Sequence, residues 1–187
     1  MKEELKLIFP TSEYKEQIQN YLKEHIENGE CTLHGSGGLH KIKDVDKWLE
    51  KVNNDLSEKT VSSDRVPATL FLCIRNLDNK IVGTIQIRHR LNEKLLFDCG
   101  HIGDGVRPSE RRKGYATEMI KLALEECKKL GIYEVLMTCD SDNIGSEKSI
   151  INNGGVLENI VIDENGKKIK RFWIKIKEEL KWNILKS

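Results

Sequence analysis

The stretch Val106-Arg-Pro-Ser-Glu-Arg-Arg-Lys-Gly-Tyr-Ala116 decides how the rest of this chain is read. It falls between a strand-like run over residues 101–106 and a helix-like run over 117–130. Pro108 has no N–H to give a ladder, so the strand stops there. Gly114 and Ala116 keep the first helical turn almost free of side chains. A helix start carries unpaired N–H groups and partial positive charge, and small residues let an anion reach them. Arg111, Arg112 and Lys113 add formal charge at the same end, against the sense of the helix dipole. That conflict is resolved if the charges meet a bound anion such as a pyrophosphate; the alternative is a solvated basic turn.

Bulk properties set the frame. At 187 residues the chain reads as one domain over 1–187, long enough for a sizeable core. Lys+Arg 31 against Asp+Glu 30 gives a net charge of +1, which offers no electrostatic case for nucleic acid. Cys31, Cys73, Cys99, Cys127 and Cys139 are dispersed, with no C-x-x-C pair, so neither a metal site nor a disulfide framework is indicated. All but Cys31 lie in apolar-patterned segments and read as small core residues. Met1-Lys-Glu-Glu-Leu5 lacks the apolar core of a leader, and no run approaches membrane length. A reducing cytoplasm is the expected location.

Upstream of the motif, residues 5–9 read as a short strand stopped by Pro10. Thr11 or Ser12 caps a helix to about residue 27, with Tyr14, Ile18, Tyr21, Leu22 and Ile26 on its apolar face, and Gly29 ends it. Residues 30–40 hold Gly35-Ser-Gly-Gly38 with Cys31, His34 and His40: a candidate substrate-side lid, or simply a mobile connection. A second helix over 44–56 carries the stripe Val45, Trp48, Leu49 and Val52. Residues 68–75 and 81–88 form a hairpin, with Ile81, Gly83, Ile85 and Ile87 on one face and Thr84, Gln86 and Arg88 on the other. The next strand is expected over 99–106.

Downstream, the helix after the motif is expected to bury Met119, Ile120, Leu122, Ala123, Leu124, Cys127 and Leu130, and Gly131 stops it. Residues 133–139 read as a fully buried strand, and 144–153 as a short helix closed by Gly154-Gly155. A hairpin of 156–162 and 168–177 follows, with a bulge expected around Arg171-Phe172-Trp173. This order predicts an α/β (α+β) fold: a mixed, mostly antiparallel central sheet flanked by helices, with 99–106 and 133–139 joined by a parallel crossover.

Motif and order together resemble the GNAT superfamily of acyl-CoA-dependent N-acyltransferases. That family's phosphate loop reads Arg/Gln-x-x-Gly-x-Gly/Ala after a strand ending Val-x-Pro. Here Arg111-Arg-Lys-Gly114-Tyr-Ala116 follows Val106-Arg-Pro108. Further on, Asn143-Ile-Gly-Ser146-Glu-Lys-Ser149-Ile-Ile-Asn-Asn-Gly154 is similar to the family's Asn-x-x-Ser/Ala helix ending in Gly. The resemblance covers residues 67–176 and extends to Leu5 by element order; 99–139 and 143–155 look closest to a bacterial branch of the family.

The resemblance implies acetyl-CoA as cosubstrate, no metal, and an acceptor amine on a small molecule, peptide or protein. It assigns the CoA pyrophosphate to Arg111, Arg112, Lys113, Gly114, Tyr115, Ala116 and Thr117, chiefly through backbone N–H groups. It implies that the strand entering the loop splays from the strand after the helix, with the pantetheine arm in the gap. Backbone groups of Gly105, Val106 and Arg107 would then bind pantetheine and polarise the acetyl carbonyl. Asn143 would bond the pantetheine amide, and Ser146 or Ser149 would reach the cofactor; Asn143 and Ser146 read equally well as helix caps.

An amine with a pKa near about 10.4 is mostly protonated at neutral pH, so a base is expected. The candidates are His101, Asp104 and Asp98. Alternation puts Asp104 and Asp98 on one face and His101 on the other. His101 has the better intrinsic pKa, and Asp104 lies closer to the reacting carbonyl. Many family members place a Tyr seven residues after the Asn to protonate the leaving thiolate; this chain has Ile150 there. Two other readings stand beside an acetyltransferase. One is a non-catalytic acyl-CoA-binding regulatory module. The other, a nucleotide phosphate binder, is weakened by the absence of Gly-x-x-x-x-Gly-Lys-Ser/Thr. A homodimer through a sheet edge or the last strand is a further expectation.

Overall fold

The computed structural model describes residues 4–177. The reading of residues 1–3 as leader-free, and the outer ends of the 1–187 domain, lie outside that range. The elements in order are β1 (Leu5–Ile8), α1 (Lys15–Glu27), α2 (Leu39–Ile42), α3 (Val45–Asn54), β2 (Ala68–Arg75) and β3 (Lys80–Arg88). Then come β4 (Ile102–Val106), α4 (Tyr115–Lys129), β5 (Glu134–Asp140), α5 (Ile144–Ile151), β6 (Val156–Ile162) and β7 (Lys168–Lys175). The strands form two antiparallel sheets, β1-β2-β3-β4 and β5-β7-β6. The expected parallel partners β4 and β5 are neighbours without a ladder between them.

Both faces of the first sheet are covered, so β2 and β3 are nearly continuous apolar runs. Val82, Ile85 and Ile87 pack with α4 residues Met119, Ile120, Ala123 and Cys127 and with Val135 and Met137 of β5. Leu70, Leu72, Ile74 and Ile81 pack with α1 and α3, around Ile18, Tyr21, Trp48 and Val52. Ile81 therefore does not share a face with Ile85 and Ile87. The register shifts between Cys73 and Ile74, which pair with Gly83 and Ile81 and leave Val82 as the extra residue. That bulge turns Ile81 to the opposite core.

Other expectations are adjusted by packing. The α1 stripe runs Ile18, Tyr21, Leu22 and His25; Ile26, one residue further round, is exposed. Thr11 precedes a 3₁₀ turn, Ser12–Tyr14, and makes no side-chain cap. Asp44 does cap α3, accepting from the N–H groups of Asp46 and Lys47. The bulge expected on the last strand falls on its partner, between Leu157 and Asn159 of β6 opposite Arg171 and Phe172. Cys73, Cys127 and Cys139 are buried, whereas Cys99 is only partly so.

The stretch 99–106 is shorter as a strand than expected. Residues Leu95–Cys99 form one turn of π-helix, and β4 begins at Ile102. Gly100, at φ +70, makes the corner between them; a Cβ there would sit 2.4 Å from the Leu136 carbonyl. The His101 N–H donates to that carbonyl at 2.7 Å, and the Leu136 N–H donates to His101 Nδ1 at 3.0 Å. The two sheets are tied at this corner, and they diverge beyond it.

Candidate active site

The ladder between β3 and β4 fixes which groups of β4 are free. Arg88 N–H donates to the His101 carbonyl and Arg107 N–H to the Val82 carbonyl. Antiparallel alternation then turns the N–H and C=O of residues 103, 105 and 107 to β3, and those of 102, 104 and 106 to the open edge facing β5. The divergence of β4 from β5 thus exposes an unpaired strand edge to a gap of about 350 Å³. Of the backbone groups expected to meet pantetheine, Val106 lies on the open edge and lines the cleft over the loop, its carbonyl accepting from Arg111 Nε at 3.1 Å, while Gly105 is turned to β3. The N–H of Arg107 is consumed by Val82, and its side chain is buried, donating to the Ile81 carbonyl and to Glu24.

The segment after β4 is anchored from two sides. Glu24 of α1 accepts from Arg107 and from the Ser109 N–H, each at 2.8 Å. Glu110, buried beneath the turn, is ion-paired with Lys113, Lys80 and Arg75. Burial alone would raise the Glu110 carboxyl, but these three cations bring it down to about 2. With its flanks held, the loop adopts alternating left-handed residues, Arg112 at φ 62 and Gly114 at φ 85. Successive N–H groups in such a turn form a concave anion nest continuous with the start of α4. The N–H groups of Arg112, Lys113, Gly114 and Ala116 have no acceptor among the described residues. A Cβ at Gly114 would meet nothing within 4 Å, so the space in front of the nest is open.

The charges here divide their work. Arg111 pairs with Glu30 at 2.7 Å, and Lys113 with Glu110 at 2.8 Å. Arg112 has no carboxylate partner among the described residues. The cleft over the nest, about 660 Å³, is lined by Arg111, Arg112, Gly114, Tyr115 and Ala116, together with Gly105, Val106, Asn143, Ser146 and Ser149. Lys113 and Thr117 do not line it: Lys113 is held by Glu110, and the Thr117 hydroxyl donates to Ser149 Oγ at 3.4 Å. Asn143 caps α5, its side-chain oxygen accepting the Ser146 N–H at 3.1 Å. The cap and the cleft are not alternatives, since Asn143 serves the first while lining the second. Ser149 is buried and donates to the Gly145 carbonyl. Ile150 is fully buried in the core, and the Tyr115 hydroxyl accepts from Arg75.

The base candidates separate clearly. Asp104 shares its strand face with Ile102 and Val106 and lines both the nest cleft and the gap. Burial pushes its carboxyl up to about 6. His101 precedes β4 at the corner, with Nδ1 committed to Leu136 and its ring edge-on to Trp173. Burial, with a smaller push from Arg88, takes it down to about 4, and it lines none of these cavities. Asp98 lies on the π-helical turn, so strand parity does not reach it, yet it lines the gap.

Two residues of the candidate substrate-side lid, His34 and Gly35, and one residue with no role expected from sequence, Arg88, also reach the site. His34 lines the nest cleft, the gap and a third cavity of about 520 Å³ beyond them. Gly35 presses on β4 so closely that a Cβ would stand 2.4 Å from the Gly103 carbonyl. Residues 34–35 are thus packed flat on the glycine side of β4, where Gly103 and Gly105 present no side chain. Arg88, at the end of β3, lines both the gap and the third cavity. The Gly-x-Gly spacing 103–105 was the available signal for a close neighbour.

A split pair of strands beside a backbone anion nest is the architecture of an acyl-CoA-binding transferase. The Acetyltransferase (GNAT) family model matches residues 39–149, more than half of the chain, and the chain belongs to that family. It is an acyl-CoA-dependent N-acetyltransferase with acetyl-CoA as cosubstrate. No curated protein matches it by sequence. Among solved structures it is similar to Mycobacterium smegmatis RimJ in complex with CoA-disulfide, at 15% identity and a TM-score of 0.68, covering 91% of this chain and 81% of that one. It is also similar to the microcin C7 self-immunity acetyltransferase MccE in complex with acetyl-CoA and AMP, at 16% identity and TM-score 0.67, covering 92% and 93%. The spermidine/spermine N-acetyltransferase SpeG of Vibrio cholerae matches at 16% identity and TM-score 0.63, covering 91% and 93%. These likenesses concern the fold. Among the described residues no helix is long and apolar enough to cross a membrane, and no cluster of His, Cys, Asp or Glu could hold a metal ion.

Proposed function

We propose that the protein moves the acetyl group of acetyl-CoA directly to a primary amine of a small molecule or peptide, both substrates being bound together. The observation that carries this reading is the place of Asp104, in the wall shared by the nest cleft and the gap. The nest residues 112–116 and the Arg112 guanidinium take the pyrophosphate. The open edge of β4, through the N–H groups of Asp104 and Val106, takes the pantetheine arm as an added strand and donates toward the acetyl carbonyl. Asn143 contributes its NH₂, since its oxygen is occupied by the cap.

Asp104 is the base. A carboxylate titrating near 6 is ionised at neutral pH yet basic enough to take a proton from an ammonium held in the gap. The amine nitrogen forms its bond to the carbonyl carbon as the carbon–sulfur bond breaks. Asp104 takes one proton from the ammonium before attack and releases it to solvent; the second leaves the nitrogen of the tetrahedral adduct and reaches the departing thiolate through solvent, Ile150 being an apolar core residue with no proton to give. His101 is assigned to holding the corner. Thiol release from acetyl-CoA in the presence of an amine panel tests the reading. Turnover that requires Asp104 is the expected result. Tight CoA binding with no turnover on any amine would instead identify a non-catalytic binding module.

A further inference from the structure

The arginines of this chain divide into two groups. Arg65, Arg75, Arg90, Arg107, Arg111 and Arg171 each form an ion pair with a carboxylate. Arg88 and Arg112 have none among the described residues. Arg112 faces the pyrophosphate nest. Arg88 lies at the other end of the same channel, lining the gap and the third cavity.

The setting of Arg88 is that of a fixed guanidinium with donors to spare. Its Nη1 donates to the Cys99 and Gly100 carbonyls at 3.2 and 2.9 Å, which locks the side chain in place. Nε and Nη2 have no acceptor among the described residues. Gly103 opposite leaves room for the group, since a Cβ there would come within 3.3 Å of Nη2. Burial disfavours the charged form of Arg88, and the nearby Asp98 offsets this only in part, its oxygen accepting from Cys99. The third cavity is lined by two carboxylates, Asp55, which is paired with Lys51 and Arg65, and Asp64, which accepts from Ser62, against five cations, of which Lys41 and Lys94 form no ion pair among the described residues. The gap side carries Asp98 and Asp104. The channel is therefore anionic where the amine must lie and cationic beyond it.

We propose that the acceptor carries an oxyanion besides its amine, in the simplest case the carboxylate of an amino acid, and that Arg88 binds it through Nε and Nη2. A planar guanidinium with two free donors matches a carboxylate in a two-bond fork. A polyamine would bring a second positive charge against Arg88, which has no ion pair among the described residues. This inference rests on the transferase reading above and adds the substrate class to it.

The test is acetyl transfer from acetyl-CoA to matched amino acids, their carboxamides, aminoalkyl phosphonates and spermidine. Carboxylate acceptors should exceed their amides in kcat/KM. Arg88→Gln should cut the carboxylate-to-amide ratio by about ten- to a hundredfold, mainly through KM, as expected for losing hydrogen bonds to a charged group. Gln86→Glu, on the same strand face, should lower that ratio without touching the bonds to Cys99 and Gly100. A preference for phosphonates that responds to both variants would keep the oxyanion site and move the acceptor to the phosphoryl class. Amides or spermidine used as well as carboxylates, or a ratio unmoved by both variants, would overturn the proposal while leaving the transferase reading intact. CoA binding with no turnover on any acceptor would overturn both.

Discussion

The two ends of the channel are built in different ways. The proposed donor end is one continuous stretch, residues 106–116, whose backbone lines much of the cleft. Its side chains largely hold the loop: Arg107 and Lys113 point away to Glu24 and Glu110. The proposed acceptor end is lined by side chains of separated segments: Arg88 on β3, His34 in the loop after α1, Lys41 at α2 and Lys94 before the π-helical turn. A pyrophosphate is the same on every acyl-CoA, and a backbone nest suits an invariant anion. An acceptor differs between enzymes, and side chains can change without disturbing the nest.

Substitutions can break or sharpen this contrast. The largest effect is expected for Asp104→Asn: kcat should fall by about 10²- to 10⁴-fold with acetyl-CoA affinity kept. In the wild-type protein the rate should rise with pH through about 6, as Asp104 ionises. The sign for stability is opposite. Burial raises the folded pKa above the unfolded value of about 3.9, so stability is fully present below that value and falls as pH rises through about 6. The penalty at higher pH is at most about 3 kcal/mol. Asp104→Asn should therefore melt higher than wild type at pH 8 and not at pH 4, by scanning calorimetry. A pH-independent melting difference would remove Asp104 from its buried setting.

Gly114→Asp should cost at least about a hundredfold in CoA affinity by titration calorimetry, the equivalent of one or two lost charge-assisted bonds. The left-handed conformation adds a folding cost of about 1–2 kcal/mol, which leaves the protein folded. Retained affinity would mean that the nest is misassigned. Gly35→Ala acts at the other end. Its Cβ would clash with the Gly103 carbonyl, and overpacking of this kind costs about 1–3 kcal/mol. KM for the amine should rise while KM for acetyl-CoA holds. Equal changes in both would show that the ends are not separable.

The smallest catalytic effect is expected for His101→Ala. It strands the buried Leu136 N–H, at about 1–3 kcal/mol of stability, and leaves kcat of the folded enzyme and its pH profile in place. A kcat loss comparable to that of Asp104→Asn would make His101 catalytic after all.

His101 and Asp104 also show where residue-by-residue reading stops. Both are titratable, and they lie three positions apart near one strand. Nothing in their neighbours reveals that the strand begins only at Ile102, or that Leu136 occupies Nδ1 of the histidine. The Val82 bulge hides the face of Ile81 in the same way, because side-chain alternation does not carry across an extra residue. Of the basic residues of the closing hairpin, Lys167 pairs with Asp140, Lys170 with Glu147, Arg171 with Glu158 and Lys175 with Glu134.

What the sequence alone determined was the order of elements, the family and the glycine-bearing turn before α4. Helix periodicity, turn glycines and an anion nest are all encoded over a few adjacent residues, where the backbone's own geometry dictates the outcome. Tertiary structure decided the acceptor end and the division of labour among the charges. An arginine's meaning depends on whether a carboxylate from a distant segment has reached it. Arg111 and Arg112 are adjacent in sequence, and only folding brings Glu30 to the first and leaves the second with no ion pair among the described residues.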